Sequence, residues 1–295
     1  MSMETPGTGG GAAPEEVAPP KKKSDLKPRL IAGAAMAVVA LGLTFAGPVP
    51  FALLVGLVAL LMCWEWGRVV RSEDFSAALV VHAVAITAAV GLAASHQPLA
   101  ALGAIAAGAV ALLVLPLSER RAMSALGVFY VGLPVVALLW MRSDAILGLS
   151  AVLFMFLIVW TSDIAAFAAG RGIGGPKLWP RVSPNKTWSG FLGGVSASAV
   201  AGALFAQAVP GAASPRLALL ALALAVVAQG GDLAESAMKR WFGVKDSSNI
   251  IPGHGGVMDR ADSTVAVSIA AAILALIVNA RSEEHTSELQ SLRHL

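Results

Sequence analysis

The dominant feature of the sequence is a series of nine long apolar segments separated by shorter polar stretches. A bilayer core about 30 Å thick is crossed by roughly 20 mostly apolar residues in helical form. Because the runs are rich in Ala and Leu and lack the alternation of a lipid-facing barrel, they predict an all-α, polytopic membrane protein with about nine transmembrane helices. The predicted segments, each within a few residues, are 30–47, 50–67, 76–95, 98–117, 124–141, 145–169, 188–209, 215–238 and 263–280.

The composition excludes a soluble domain, because 57% of the 295 residues are hydrophobic and only 13% are charged. A net charge of +3 could suit nucleic-acid binding. The positive residues, however, lie in loops beside apolar segments, so no nucleic-acid partner is expected. Small-residue runs at 103–109 and 193–203 predict close helix packing in lipid.

The chain divides into three parts by composition. Residues 1–28 are rich in Pro, Gly, Glu and Lys, which predicts a disordered cytoplasmic tail. Residues 29–280 form one integral membrane domain. In residues 281–295 the run "RSEEHTSELQS" looks like the translation of a sequencing adapter, so we expect a non-native tail that replaces the natural C-terminus. A genuine polar tail is the alternative.

The distribution of Lys and Arg predicts the orientation. With the N-terminus inside and nine spans, 17 of the 21 basic residues fall on the inside. Only Arg142 and Arg216 fall in outside loops. Both long polar loops, 170–187 and 239–262, are therefore expected to face the cytoplasm.

The eighth segment ends in "GGDLAESAMKR", which puts charged groups on one helical face. Asp232, Glu235, Ser236 and Lys239 follow each other at i, i+3, i+4 and i+7. A carboxylate beside a membrane core is costly unless it is paired or holds a metal. Two interpretations stay open here, a metal site or an ion pair of these acids with Lys239 or Arg240.

The stretch "KDSSNIIPGHGGVMDRAD" favours the metal. Asp259 and Asp262 stand at i and i+3 around the start of the ninth segment, with Asp246 nearby in sequence. Several acids together repel one another without a cation, and oxygen ligands completed by substrate phosphates suit Mg²⁺. The glycines of "PGHGG" allow a close approach of backbone to a ligand. His254 is a phosphate contact or a turn residue rather than a metal ligand.

The loop before the seventh segment adds an acid and a group of cations. Asp163 lies inside the sixth segment, where a carboxylate is by default a site hypothesis. A polar, basic stretch follows, with Arg171, Lys177, Arg181, Asn185 and Lys186. Acids for Mg²⁺ and cations for anionic groups at a lipid boundary favour phosphoryl or nucleotidyl transfer to a lipid.

The run from Ser236 to Asp262 resembles the C-terminal signature of the phosphatidate cytidylyltransferases, also called CDP-diacylglycerol synthases. That signature is a serine, Lys-Arg, Lys-Asp, His-Gly-Gly and Asp-Arg-x-Asp. The matching residues are Ser236, Lys239, Arg240, Lys245, Asp246, His254, Gly255, Gly256, Asp259, Arg260 and Asp262. "SPNKTWSG" at 183–190, "SD" at 162–163 and "WEWGR" at 64–68 are also similar to the family.

The resemblance implies that CTP and phosphatidate give CDP-diacylglycerol and pyrophosphate, with Mg²⁺ and in some members K⁺. It implies metal binding by Asp232 and Asp259, with Asp163, Asp246 and Asp262 in the same acidic group. Asn185, Lys186, Ser236, His254, Gly255 and Gly256 are expected to bind substrate. The residues expected to act in catalysis, chiefly by holding phosphates or pyrophosphate, are Lys239, Arg240, Lys245, Asp246 and Arg260.

We further expect an integral protein of a bacterial inner membrane that contacts membrane lipid and forms a homodimer. Two alternatives stay open. One is a related CTP-dependent lipid enzyme, such as a polyprenol or phytol kinase or a CDP-archaeol synthase, although the full signature argues against the kinases. The other is a transporter, in which the acids would lie nearer to the middle of the membrane.

Overall fold

The structure is a computed structural model that describes residues 26–251 and 255–292, with side chains described for 31–251 and 255–279. Residues 1–25 of the predicted tail, and His254, lie outside the described residues. Helices make up most of the described chain. Their bounds are α1 Leu26–Ala46, α2 Pro48–Arg71, α3 Ala77–Ala94, α4 Pro98–Val114, α5 Arg121–Arg142, α6 Gly148–Gly172, α7 Trp188–Phe205, α8 Ser214–Trp241 and α9 Met258–Leu292, with a short 3₁₀ helix at Ala206–Ala208.

The nine helices follow the nine apolar segments, so the predicted all-α membrane fold is confirmed. The main differences are at the helix ends. Helix α8 continues to Trp241, and α9 begins at Met258, five residues before the predicted start at 263. Asp259 therefore lies in the first turn of α9 and Asp262 in the next. Polar residues near a helix terminus are missed by a hydropathy pattern, although they continue the helix.

The predicted count of nine spans is not confirmed. Seven helices of the described chain are long and apolar enough to cross a membrane. The other two apolar stretches, Ile31–Ala46 in α1 and Pro98–Val114, are shorter. The apolar part of α9 ends at Asn279, close to the predicted 280, while the helix itself continues to Leu292.

The helices pack as two groups joined by α9. Helix α5 lies in the middle of the first group, in contact with α2, α3, α4 and α6. Helices α6, α7 and α8 form the second group, and α9 packs against α2, α5, α6 and α8. The start of α9 therefore lies beside the polar end of α2 and the end of α8, and the candidate site is built there.

The small residues of α7 allow a close approach to α6, as the sequence predicts. A Cβ added at Gly194 would lie 2.7 Å from the carbonyl oxygen of Ser162. This distance is too short for any larger residue to be placed without moving the helices apart. The contact brings the start of α7 against α6 one residue from Asp163.

The loop between α6 and α7 contains a small antiparallel sheet that the sequence did not predict. Its strands are β1 Lys177–Trp179 and β2 Ser183–Thr187, with Lys177 opposite Thr187 and Trp179 opposite Ser183. Thr187 ends β2 and caps α7, because its hydroxyl accepts a hydrogen bond from the Gly190 N–H at 3.1 Å. Asn185 and Lys186 therefore lie on the strand that leads directly into α7.

Candidate active site

The polar face of α8 divides between two neighbouring clusters. Lys239 donates to Oε1 of Glu235 at 3.0 Å, one turn back along the helix. Ser236 donates to Oδ1 of Asp232 at 3.3 Å. The predicted polar face is present, but Glu235 pairs with Lys239, whereas Asp232 pairs with Lys186 of β2.

The first cluster is a buried ion pair network centred on Lys239. Its ammonium lies 3.0 Å from Glu235 and 2.5 Å from Oδ1 of Asp259 on α9. The Tyr130 hydroxyl donates to Oε2 of Glu235 at 2.8 Å. Lys239 is 8% exposed and is surrounded by carboxylates. In this arrangement it neutralises protein acids, which agrees with the ion-pair interpretation of the sequence.

Asp259 also binds the loop that precedes its own helix. Its Oδ2 accepts hydrogen bonds from the Gly256 N–H at 2.8 Å and the Ser247 N–H at 3.0 Å. The Ser247 hydroxyl lies 3.1 Å from the same oxygen. Asp259 thus holds Ser247 and Gly256 of the loop between α8 and α9. Both oxygens of its carboxylate already bind groups of the protein.

Glu65 on α2 is a site residue to which sequence reasoning assigned no role. It is fully buried and accepts four hydrogen bonds from the region around the start of α9. The donors are the Ser248 hydroxyl at 2.6 Å, the Ser247 hydroxyl at 3.1 Å, the Val257 N–H at 2.8 Å and the Met258 N–H at 2.6 Å. The available signal was an acid inside an apolar helix, which is a site hypothesis on the same grounds as Asp163.

The second cluster joins α6, β2 and α8. Lys186 on β2 lies 2.5 Å from Oδ2 of Asp232 and donates to Oε1 of Gln229 at 3.1 Å. Gln229 donates in turn to the Ser162 hydroxyl at 2.9 Å. The Lys186 and Asp232 side chains are 20% and 29% exposed, so this cluster, unlike the first, is open to a ligand.

Two further predicted metal ligands, Asp163 and Asp262, interact with the second cluster through their charges. The carboxylate of Asp163 interacts electrostatically with those of Asp232 and Asp262, and with the cations of Lys186 and Arg260. Asp262 also interacts with Glu235 of the first cluster. Among the described residues, no group of three or more His, Cys, Asp or Glu side chains is placed to hold a metal ion. The oxygen donors nevertheless fit Mg²⁺, which is commonly bound through one or two carboxylates and completed by water and substrate phosphates.

The remaining predicted residues lie around these clusters. Asn185, Lys245, Asp246 and Arg260 are exposed, and Arg240 donates to the Val244 carbonyl at 3.0 Å. A polar surface pocket of about 470 Å³ lies between the end of α2 and residues 244–249. Its lining includes Arg68, Ser72, Lys245, Asp246, Ser248 and Asn249.

Gly255 and Gly256 pack closely against side chains of the protein, and their predicted contact with substrate stays a prediction. Gly255 has φ +79°, and a Cβ there would lie 2.6 Å from Oδ2 of Asp259. A Cβ at Gly256 would collide with the Ser247 hydroxyl and the Glu65 carboxylate. In the described residues these glycines pack against site carboxylates, while His254 beside them lies outside the described residues.

Comparison with known proteins gives the family. Residues 27–278 match the family described as the Cytidylyltransferase family. The chain belongs to this family. The predicted resemblance is therefore confirmed, and the match covers the whole of the described helical domain apart from the end of α9.

Similar proteins include phosphatidate cytidylyltransferases of several bacteria. The phosphatidate cytidylyltransferase of Brucella suis is 42% identical over 255 residues, which are 86% of this chain and 93% of that protein. The phosphatidate cytidylyltransferase of Brucella abortus is 41% identical over the same fractions of the two chains. The phosphatidate cytidylyltransferase of Staphylococcus saprophyticus is 44% identical over 139 residues, 47% of this chain and 52% of its own length.

Proposed function

We propose that this cytidylyltransferase transfers CMP from CTP to phosphatidate and releases pyrophosphate. The observation that carries the proposal is the cluster of Asp163, Asp232 and Asp262 beside Lys186 and Arg260, at one end of an apolar helical bundle. Such a site can bind a phosphate-rich nucleotide while a lipid reaches it from the bilayer. The 42% identity to a phosphatidate cytidylyltransferase over 86% of the chain supports this choice of substrates.

The reaction needs in-line attack and charge neutralisation rather than a covalent enzyme intermediate. A phosphate oxygen of phosphatidate attacks the α-phosphorus of CTP. The new P–O bond forms while the bond from the α-phosphorus to the bridging oxygen breaks, and pyrophosphate leaves. We propose that Lys186 and Arg260 hold phosphate oxygens during this displacement, which their interaction with the acidic cluster supports.

Magnesium binding is proposed for Asp232, with Asp163 and Asp262 as neighbouring oxygen donors. When bound, Mg²⁺ would neutralise charge on the triphosphate and polarise the α-phosphoryl group. Ligation by Asp259 together with Asp232 stays a prediction, because the structure pairs Asp259 with Lys239 and Asp232 with Lys186. A potassium ion also stays a prediction, with no residue assigned to it.

We propose that CTP enters through the polar pocket beside α2. The pocket offers cations at Arg68 and Lys245 and hydrogen-bonding groups at Ser248 and Asn249. Its volume of about 470 Å³ suits a ligand of nucleotide size. Ser247, which lines this pocket, donates to Asp259, so the pocket adjoins the buried network of the first cluster.

The apolar helices make the chain a membrane protein, and its relatives are bacterial. We propose that it lies in the inner membrane with the loops 170–187 and 239–262 in the cytoplasm, where CTP is available. The excess of Lys and Arg in these loops supports this orientation. The homodimer and the absence of a nucleic-acid partner stay predictions.

Two labels of the same nucleotide test the proposed function. Purified protein in detergent is incubated with phosphatidate and CTP labelled either at the α- or at the γ-phosphate. We expect Mg²⁺-dependent transfer of the α-label to lipid, with the γ-label released in pyrophosphate. Transfer of the γ-label to lipid would identify a CTP-dependent kinase instead, and an absence of labelled lipid with either nucleotide would contradict the proposal.

A further inference from the structure

Glu65 on α2 forms hydrogen bonds across long sequence separations to the loop between α8 and α9 and to the start of α9. Ser247 and Ser248 lie in the middle of that loop, which comprises residues 242–257, and Val257 and Met258 lie where it leads into α9. Both segments bind the same carboxylate, across sequence separations of 182 to 193 residues. One side chain on α2 therefore holds residues 247–248 and 257–258 against the helix bundle.

Both oxygens of Glu65 are engaged. Oε1 accepts from Ser248 and Val257, and Oε2 accepts from Met258 and shares the single hydroxyl proton of Ser247 with Asp259. Two of the donors are backbone N–H groups at the start of α9, where a helix terminus favours negative charge. The contact is thus specific to a carboxylate with two equivalent oxygens.

The loop that Glu65 holds carries groups from both parts of the site. Ser247 lies 3.1 Å from Glu65 Oε2 and 3.1 Å from Asp259 Oδ2, so it links Glu65 to the Lys239 network. Ser247 and Ser248 also line the polar pocket with Lys245 and Asn249. A displacement of Ser247 and Ser248 would therefore alter both the wall of the pocket and the hydrogen bonds of Asp259.

We propose that Glu65 is a positioning residue that fixes residues 247–248 and the start of α9 at 257–258 in the geometry needed to bind CTP. The role in CTP binding rests on the proposed function, whereas the positioning of these two segments does not. Glu65 itself is fully buried. Its effect reaches the nucleotide through Ser247, Ser248 and the start of α9.

The substitution Glu65→Gln tests this with almost no change of volume. Val257 donates to one oxygen and Met258 to the other, so in either orientation the amide NH₂ faces a backbone N–H. We expect faster hydrogen exchange confined to residues 247–258 and a KM for CTP raised roughly 10- to 100-fold. The KM for phosphatidate should stay near that of the unmodified chain.

Three further variants make the test specific. Glu65→Asp keeps both carboxylate oxygens and should restore part of the CTP affinity. Ser248→Ala removes one donor without altering charge, should raise the KM for CTP less, and tests the loop if Glu65→Gln does not fold. Glu73→Gln is the matched control, because the Glu73 side chain is 51% exposed just after the same helix and forms its described ion pair with Arg71.

The outcomes separate the inference from the proposed function. Faster exchange in the loop together with a selective loss of CTP affinity supports the positioning role. Unchanged loop exchange in Glu65→Gln, or equal changes in both KM values with faster exchange throughout the chain, would overturn it. If the unmodified chain makes no CDP-lipid, the proposed function fails, and the exchange measurement still decides whether Glu65 holds the loop.

Discussion

The Lys239 ammonium lies 2.5 Å from Oδ1 of Asp259, so a buried ion pair joins the end of α8 to the start of α9. Their side chains are only 8% and 5% exposed. Glu235 contacts the same ammonium, and one cation therefore serves two acids away from solvent. Any role of Lys239 toward phosphate, or of Asp259 toward a metal, must compete with this pairing.

Loss of Lys239 should destabilise the protein strongly. We expect Lys239→Met to lower the free energy of unfolding by about 3–5 kcal/mol, because Glu235 and Asp259 stay buried without their cation. Thermal unfolding in detergent measures the effect. Arg240→Met is the control, because Arg240 is exposed and its described hydrogen bond is to one carbonyl. Equal stability of the two variants would show that the ion pair contributes little.

Asp232→Asn should reduce turnover without unfolding the chain. Asp232 is 29% exposed, and Lys186 keeps its hydrogen bond to Gln229 when the charge is lost. Removing a charge that acts on the reacting phosphates should lower kcat roughly 100-fold or more. Turnover and its Mg²⁺ dependence are measured together with the thermal transition. Unaltered Mg²⁺ dependence at full turnover would falsify the assignment of Asp232 to the metal.

Asp259→Asn distinguishes a metal ligand from an ion-pair partner. If Asp259 only neutralises Lys239, the variant should be less stable but keep its turnover per folded molecule. If Asp259 also binds Mg²⁺, turnover should fall and higher Mg²⁺ should restore part of it. The sequence-based prediction of shared ligation with Asp232 requires the second result. The first result would restrict the metal to Asp163, Asp232 and Asp262.

The orientation can be tested by cysteine labelling in intact cells. Cys63 is fully buried, so the native chain provides a silent background. We expect Lys177→Cys and Asn249→Cys to react only after the membrane is opened. Ala145→Cys, exposed in the loop between α5 and α6, should react from outside. Ready labelling of Lys177→Cys in sealed cells would reverse the proposed topology.

Removal of residues 281–295 should leave turnover intact. The apolar part of α9 ends at Asn279, and every described site residue lies before it. The truncated and full-length chains are compared at equal expression by transfer of the α-label of CTP to lipid. A lower rate in the truncated chain would show that the tail is a working part of the protein.

Local patterns in the sequence were enough to predict the helices and one ion pair of the site. Hydropathy predicted nine helical segments, and the i, i+4 spacing of Glu235 and Lys239 allowed their ion pair to be weighed before the structure. The metal-ligand prediction for Asp163, Asp232, Asp259 and Asp262 stays a prediction, and the structure shows an electrostatic interaction of Asp163 with Asp232 and Asp262. These successes rest on periodicity within a helix and on the cost of charges beside lipid.

Contacts between distant segments could not be predicted in the same way. The pairing of Lys186 with Asp232 depends on a β-hairpin whose short strands have no hydrophobic alternation. The four bonds of Glu65 depend on which helices pack together, and spacing along the chain does not contain that information. Sequence reasoning therefore identified polar residues of the site but not how α2 holds it in place.

The partners of Glu65 also set an order of events during biosynthesis. Val257 follows Glu65 by 192 residues. At roughly 5–20 residues per second, a ribosome needs about 10–40 s to make that length. Throughout this interval the nascent α2 contains a carboxylate whose donors do not yet exist. The site end of α2 must then stay in contact with water or with the insertion machinery until α9 emerges, so completion of the active site is a final step of membrane assembly.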